Sequence, residues 1–166
     1  MRERLLVADS GPLIALADIS HLHLLPQLYS RIAAPFAVIA EIRAGEHLSP
    51  GHCFLDDIPW LEYIESPQLP ESLSIVLGRG EAEAITLARL HADSLLLLDD
   101  HQARRAAEAL GLSITGTAGI LVRAKKEGMV ETVGPLLHKM REQRYFLSDA
   151  VIQYACRQAR EVAPVS

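Results

Sequence analysis

Short apolar runs alternate along the chain with longer segments of helical period. Leu5-Leu6-Val7-Ala8 is four apolar residues ended by Asp9, the pattern of a strand buried on both faces. Gly11-Pro12 opens a helix through about Asp18, with Asp9 or Ser10 as cap and proline in the first turn, where its missing N–H costs nothing. A second apolar helix is expected from His21 to Tyr29, its course disturbed by Pro26. Arg31–Ala34 reads as a short strand, Pro35–Arg43 as a helix closed by Gly45, and Leu61–Ile64 as a strand. Gly80–His91 has a strong helical period, with Ala84, Ile85, Leu87 and Ala88 on its apolar side. Leu95–Leu98 is a second buried strand, ended by Asp99-Asp100 and followed by a helix over 101–110 that stops at Gly111. A strand over Leu112–Thr115, a helix over Thr117–Glu127 stopped by Gly128, and helices near 132–142 and 148–161 complete the pattern.

Strands alternating with helices specify βαβ units and an α/β fold around a parallel sheet. No repeat or low-complexity tract divides the chain, so residues 1–166 are expected to form one domain. In such sheets the chemistry sits beyond the carboxyl ends of the strands, where strand order reverses. Asp9 and Asp99-Asp100 each follow a buried strand, so the acids become the first candidates for function.

Composition narrows the classes. With 49% apolar and 22% charged residues the chain is neither disordered nor fibrous. Its longest apolar runs fall far short of the ~20 residues of a membrane span. The segment before Leu5 is too short and too soon acidic for a signal peptide, so a cytoplasmic protein is expected. Cys53 and Cys156 form no C-x-x-C and read as reduced thiols; His47, His52 and Cys53 lack the second ligand pair of a zinc site. The net charge of −5 argues against a protein that coats nucleic acid. Its distribution is uneven: residues 1–100 hold 15 Asp and Glu against 6 Lys and Arg, whereas residues 101–166 hold 6 against 10. An acidic half joined to a basic half suits a site that binds cations and attracts a polyanion.

Each acid alone has an ordinary reading. Asp9 can cap a helix, and Glu41 can lie on the solvent stripe of its apolar helix. Glu81 sits in a first turn, where it favours the helix dipole. It also shares a face with Ala84, Ile85 and Ala88, which continues the buried stripe, whereas Glu83 is expected to face solvent. Asp99 or Asp100 can cap the helix over 101–110. Converging on one rim, these carboxylates would repel one another strongly unless a cation neutralised them. Hard oxygen ligands suit Mg²⁺ or Mn²⁺, and such a centre supports phosphodiester hydrolysis by water.

These segments, taken together and in order, resemble the PIN-domain family. Val7-Ala8-Asp9-Ser10-Gly11-Pro12-Leu13-Ile14-Ala15-Leu16 is similar to its opening motif, and Val38-Ile39-Ala40-Glu41-Ile42 to its second acidic motif. Leu77–Ile85 and Leu96–Arg105 resemble its third and fourth, and Ile114–Leu121 its small-residue turn. The resemblance covers about residues 5–130, with the C-terminal helices at about 132–161 beyond it. It is nearest to a VapC-like branch marked by Gly80-Glu81-Ala82-Glu83-Ala84-Ile85. The resemblance implies a PIN-like α/β/α sandwich with a central parallel sheet of four to five strands. It also implies RNA cleavage by metal-activated water at Asp9, Glu41, Glu81 and Asp99, with Mg²⁺ or Mn²⁺ bound there and Asp100 as an added or outer ligand. Ser10 matches the family's small hydroxyl, and Thr115 or Thr117 its support for a metal-held water. A toxin of a type II toxin–antitoxin pair, a cognate antitoxin partner and a homodimer follow from the same resemblance. The chain departs from the pattern at Glu81, where many members carry Asp.

Arg104, Arg105, Arg123, Lys125 and Lys126 are candidates to hold RNA phosphates, against the alternative of a solvated basic face. Aromatic residues make up only 5% of the chain, so base stacking is not expected. The apolar helices over 13–28 offer a surface for self-association. A receiver domain would want its acidic pair after the first strand and a Lys after the last. Nucleotide-binding and serine-hydrolase readings lack their Gly-rich, Walker or G-x-S-x-G signatures. The remaining rival is a catalytically weak interaction module of the same fold, its acids kept as helix caps.

Overall fold

A computed structural model describes residues 2–45, 58–66 and 68–162. His47, His52 and Cys53, weighed above as a zinc corner, lie outside the described residues. Five strands, β1 (Arg2–Ala8), β2 (Tyr29–Pro35), β3 (Leu61–Ile64), β4 (Leu95–Leu97) and β5 (Ile114–Thr115), form an all-parallel sheet in the order β3-β2-β1-β4-β5. The helices are α1 (Ser10–Asp18), α2 (Leu24–Leu28), α3 (Phe36–Ala44), α4 (Glu71–Ser74), α5 (Arg79–Leu90), α6 (His101–Ala109), α7 (Thr117–Lys126), α8 (Gly134–Glu142) and α9 (Asp149–Gln158).

The unbroken apolar runs are explained by helices on both faces. β1 lies at the centre, its Leu6 opposite Ile32 of β2 and Leu95 of β4. Successive side chains of a strand point to opposite faces. Leu6, Ala8 and Leu97 therefore join the larger core with α1, α2, α3, α7, α8 and α9. Leu5, Val7, Leu96 and Leu98 join a smaller core with α5 and α6. The result is the expected α/β/α arrangement.

Several local expectations change. The apolar residues of 13–28 are not a free surface: Leu13, Leu16, Leu24, Leu25 and Leu28 are buried in the larger core. α2 is one short turn that begins late enough to put Pro26 in its first turn, where no intrahelical N–H is needed. β5 is only Ile114–Thr115, and the four-residue α4 forms where no element is expected. Glu83, expected in solvent, is buried. Its Oε2 accepts from the Ala37 N–H and its Oε1 from Arg79 Nε, both at 3.1 Å. α5 is buried continuously from Ala82 to Ala88 because it is wedged between the sheet and α3. Its inner acid is held by the unsatisfied N-terminus of α3 together with the Arg79 guanidinium.

Glu161, just past α9, ties the last helices together. It accepts from Lys125 Nζ and the Val133 N–H at 2.7 Å and from the Gly134 N–H at 2.9 Å. The first turn of α8, which has no side-chain cap of its own, is satisfied in this way. No helix among the described residues is long and apolar enough to cross a membrane.

Leu97 is fully buried in β4, one residue before the segment that carries the acids. Leu97→Ala is expected to lower the unfolding free energy by ~2–5 kcal/mol in urea titration, through lost burial and the cavity left behind.

Candidate active site

The sheet reverses its winding between β1 and β4, and Asp9 and Asp99 follow these two strands. A crevice opens at such a point because the connecting helices depart to opposite faces. The Asp9 N–H donates to the Leu97 carbonyl at 3.1 Å, extending the β1–β4 ladder by one bond. Asp9 is buried, and its side chain makes no capping bond to α1 despite its N-cap position. Its Oδ1 has no hydrogen-bond partner.

The other acids are held by donors from separate elements. Glu41, on α3, accepts from Ser10 Oγ at 2.8 Å and from the Gly80 N–H at 2.9 Å. Gly80 has to be glycine for this contact, because a Cβ there would lie 2.5 Å from both Glu41 carboxylate oxygens. Glu81 bends back to accept from the Gly78 N–H at 3.2 Å, at the start of α5. Asp99 accepts from the Thr117 N–H at 2.9 Å, from the Thr117 hydroxyl, and from the Tyr145 hydroxyl. Asp100 caps α6, accepting from the Ala103 N–H at 2.8 Å. The two adjacent aspartates thus divide the two roles left open in the sequence, one facing the crevice and the other closing a helix.

Thr115 does not reach Asp99; its hydroxyl lies over Gly119, where a Cβ would stand 2.5 Å away. The basic candidates separate. Arg104, Arg123 and Lys126 line a groove that begins at Asp9 and Asp99, whereas Arg105 and Lys125 do not. Lys125 is committed to Glu161 at 2.7 Å. Arg104 also donates to the Leu98 carbonyl at 2.8 Å, and the Arg123 guanidinium lies 4.9 Å over the Tyr29 ring. Tyr145, which no local pattern singles out, is the residue that sequence reasoning missed. It stands 46 positions from the aspartate it holds.

Burial pushes the Asp9 carboxyl up to about 7, and the charges of Glu81, Glu41 and Asp99 add to the shift against one bond from Ser10. Burial, with Asp100 and Glu41 nearby, likewise raises Glu81. Burial and the Asp99 charge raise the Tyr145 phenol, which keeps its proton and can only donate to Asp99. This electrostatic field is the one expected where carboxylates crowd without a counterion. Among the described residues no three Asp, Glu, His or Cys side chains form a ready-made cage. Glu41, Glu81 and Asp99 are each drawn toward their own donors, whereas the buried Asp9 Oδ1 has no hydrogen-bond partner. The all-oxygen donor set and that orphaned buried atom fit a hard divalent cation.

The family model DUF3368, described as a PIN domain, matches residues 5–161. No curated protein matches the chain.

Two outcomes follow from this geometry. A pKa raised from 3.8 to about 7 means that folding favours neutral Asp9. That contribution is complete below pH 3.8 and lost as pH climbs through about 7. Metal-free thermal melts of Asp9→Asn should therefore exceed those of the parent at pH 8, by up to ~4 kcal/mol of stability, and match them near pH 4. Gly80→Ala should leave the melting temperature unchanged or higher, since alanine favours the helix. By displacing the Glu41 carboxylate it should weaken Mn²⁺ binding in calorimetric titration by roughly 10-fold.

Proposed function

The chain belongs to the PIN-domain family, and from that premise we propose that it is an endoribonuclease that uses Mg²⁺ or Mn²⁺ to hydrolyse RNA phosphodiester bonds. PIN domains are a nuclease fold, and the carrying observation is Asp9. It is a buried carboxylate with an unpartnered oxygen, pushed up to about 7 among three further acids at the sheet's switch point. Asp9, Glu41, Glu81 and Asp99 are the residues that would hold the cation, with Asp100 beside them. A divalent ion bound there acidifies water and offsets negative charge on the scissile phosphate.

The remaining work falls to the chain's own groups. Ser10 Oγ and the Gly80 N–H orient Glu41. Thr117 and Tyr145 orient Asp99, and the protonated phenol cannot compete for its role as an acid. Arg104, Arg123 and Lys126 give the groove positive charge next to the acids, which draws in a polyanion and positions its phosphates without reading sequence. The groove encloses about 1380 Å³, above the ~300–1,000 Å³ usual for small-ligand pockets, and so suits a polymer.

The likeness of Gly80–Ile85 to the VapC-like branch supports the narrower reading: a cytoplasmic toxin of a type II pair, inhibited by a cognate antitoxin and acting as a homodimer. A second reading, an interaction module with weak catalysis, is favoured by one observation, the lack of a ready-made cage among the described residues.

Asp9→Asn should lower Mn²⁺-dependent cleavage of a labelled RNA by at least ~100-fold while leaving the circular dichroism spectrum unchanged. EDTA should silence the parent, and cleavage by the parent at full rate in EDTA would refute the mechanism.

A further inference from the structure

The groove that starts at the acids continues past Tyr145 to Phe146 and Tyr154. These rings are exposed, Phe146 at 89% and Tyr154 at 59% of their surface, although the chain has only eight aromatic residues. Phe146 is not on a loose loop. Its neighbour Tyr145 is anchored to Asp99 through the hydroxyl and to the Met140 carbonyl through its N–H at 3.1 Å. On the other side Leu147 is buried, Arg141 donates to its carbonyl at 3.0 Å, and Ser148 caps α9. The ring is thus held out into water by a segment fixed on both sides, and Tyr154 stands on α9, one to two turns beyond that cap. Arg123 and Lys126 of α7 line the same groove.

Fixed, exposed rings beside cations, in a channel leading to carboxylates, form the combination that grips an unpaired strand: phosphates meet the cations and base faces meet the rings. We propose that Phe146 and Tyr154 form a base-stacking subsite for RNA, with Arg123 and Lys126 receiving the adjoining phosphates. This rests on the ribonuclease reading and adds to it the residues that hold the substrate beyond the cleaved bond. The proposal runs against the expectation drawn from the low aromatic content. Few aromatics suffice when two of them line one groove. A protein segment as occupant would use the rings but would leave the adjoining cations and the continuity with the acids without a purpose.

The test uses the full chain in EDTA, with a fluorescein-labelled, unstructured 12-nucleotide RNA, the same strand annealed to its complement, and an abasic strand of equal length. Because both rings are exposed, alanine at either position spares the core. Phe146→Ala and Tyr154→Ala should each weaken binding of the unpaired strand by roughly 5- to 150-fold, the range for loss of one stacked base. Binding of the duplex and of the abasic strand should change less than about two-fold, and Phe146→Tyr should restore affinity. Unchanged affinity for the unpaired strand, or equal losses on all three probes, would overturn the subsite. A shift in oligomeric state by light scattering without loss of RNA affinity would also overturn it, in favour of a protein contact. Cleavage is assayed separately: a parent that binds the unpaired strand through these rings yet cuts no RNA in Mn²⁺ defeats the nuclease reading and leaves the stacking subsite standing.

Discussion

Mutual repulsion among carboxylates, brought together at the one place where a doubly wound sheet leaves a crevice, governs the rest of this molecule. Burying Asp9 beside three other acids is unfavourable by itself. The fold tolerates it by assigning separate donors to the neighbours: a hydroxyl and an amide to Glu41, an amide to Glu81, and an amide with two hydroxyls to Asp99. Those donors come from α1, α5, α7 and the segment after α8, so the site's electrostatics and the packing of the layers form one problem. The unrelieved repulsion falls on Asp9, whose Oδ1 has no hydrogen-bond partner and whose carboxyl is pushed up to about 7.

The strands and most helices were legible because burial on both faces writes unbroken apolar runs, and because Gly45, Gly111 and Gly128 mark helix ends. Glu83 is buried against expectation, since periodicity reports only which residues share a face and α5 is covered on more than one side, while Glu81 is half-buried. The apolar stretch 13–28 reads as a self-association surface because sequence cannot say that the larger core already uses it. Asp99 and Asp100 were distinguishable only by backbone direction at the end of β4. Tyr145 was out of reach of any local pattern, because its role exists only once α8 has folded back across α1, where the phenol comes next to Gly11.

Charge asymmetry along the chain acquires a spatial meaning, but a narrower one than counting suggests. The acidic half supplies Asp9, Glu81, Asp99 and Asp100 to the groove, with Glu41 near enough to Asp9 to add to its shift. Of the basic half, only some cations reach the groove: Lys125 is consumed by the Glu161 clamp, while Arg104 and Arg123 share their charge with a carbonyl and a ring. Net charge therefore says less about a polyanion-binding face than the few cations left facing it.

The hydroxyl of Tyr145 has a temporal corollary. During synthesis the stretch bearing all four acids leaves the ribosome well before the residue that completes the setting of Asp99. A growing chain therefore carries Asp99 without its phenol donor until translation has passed α8.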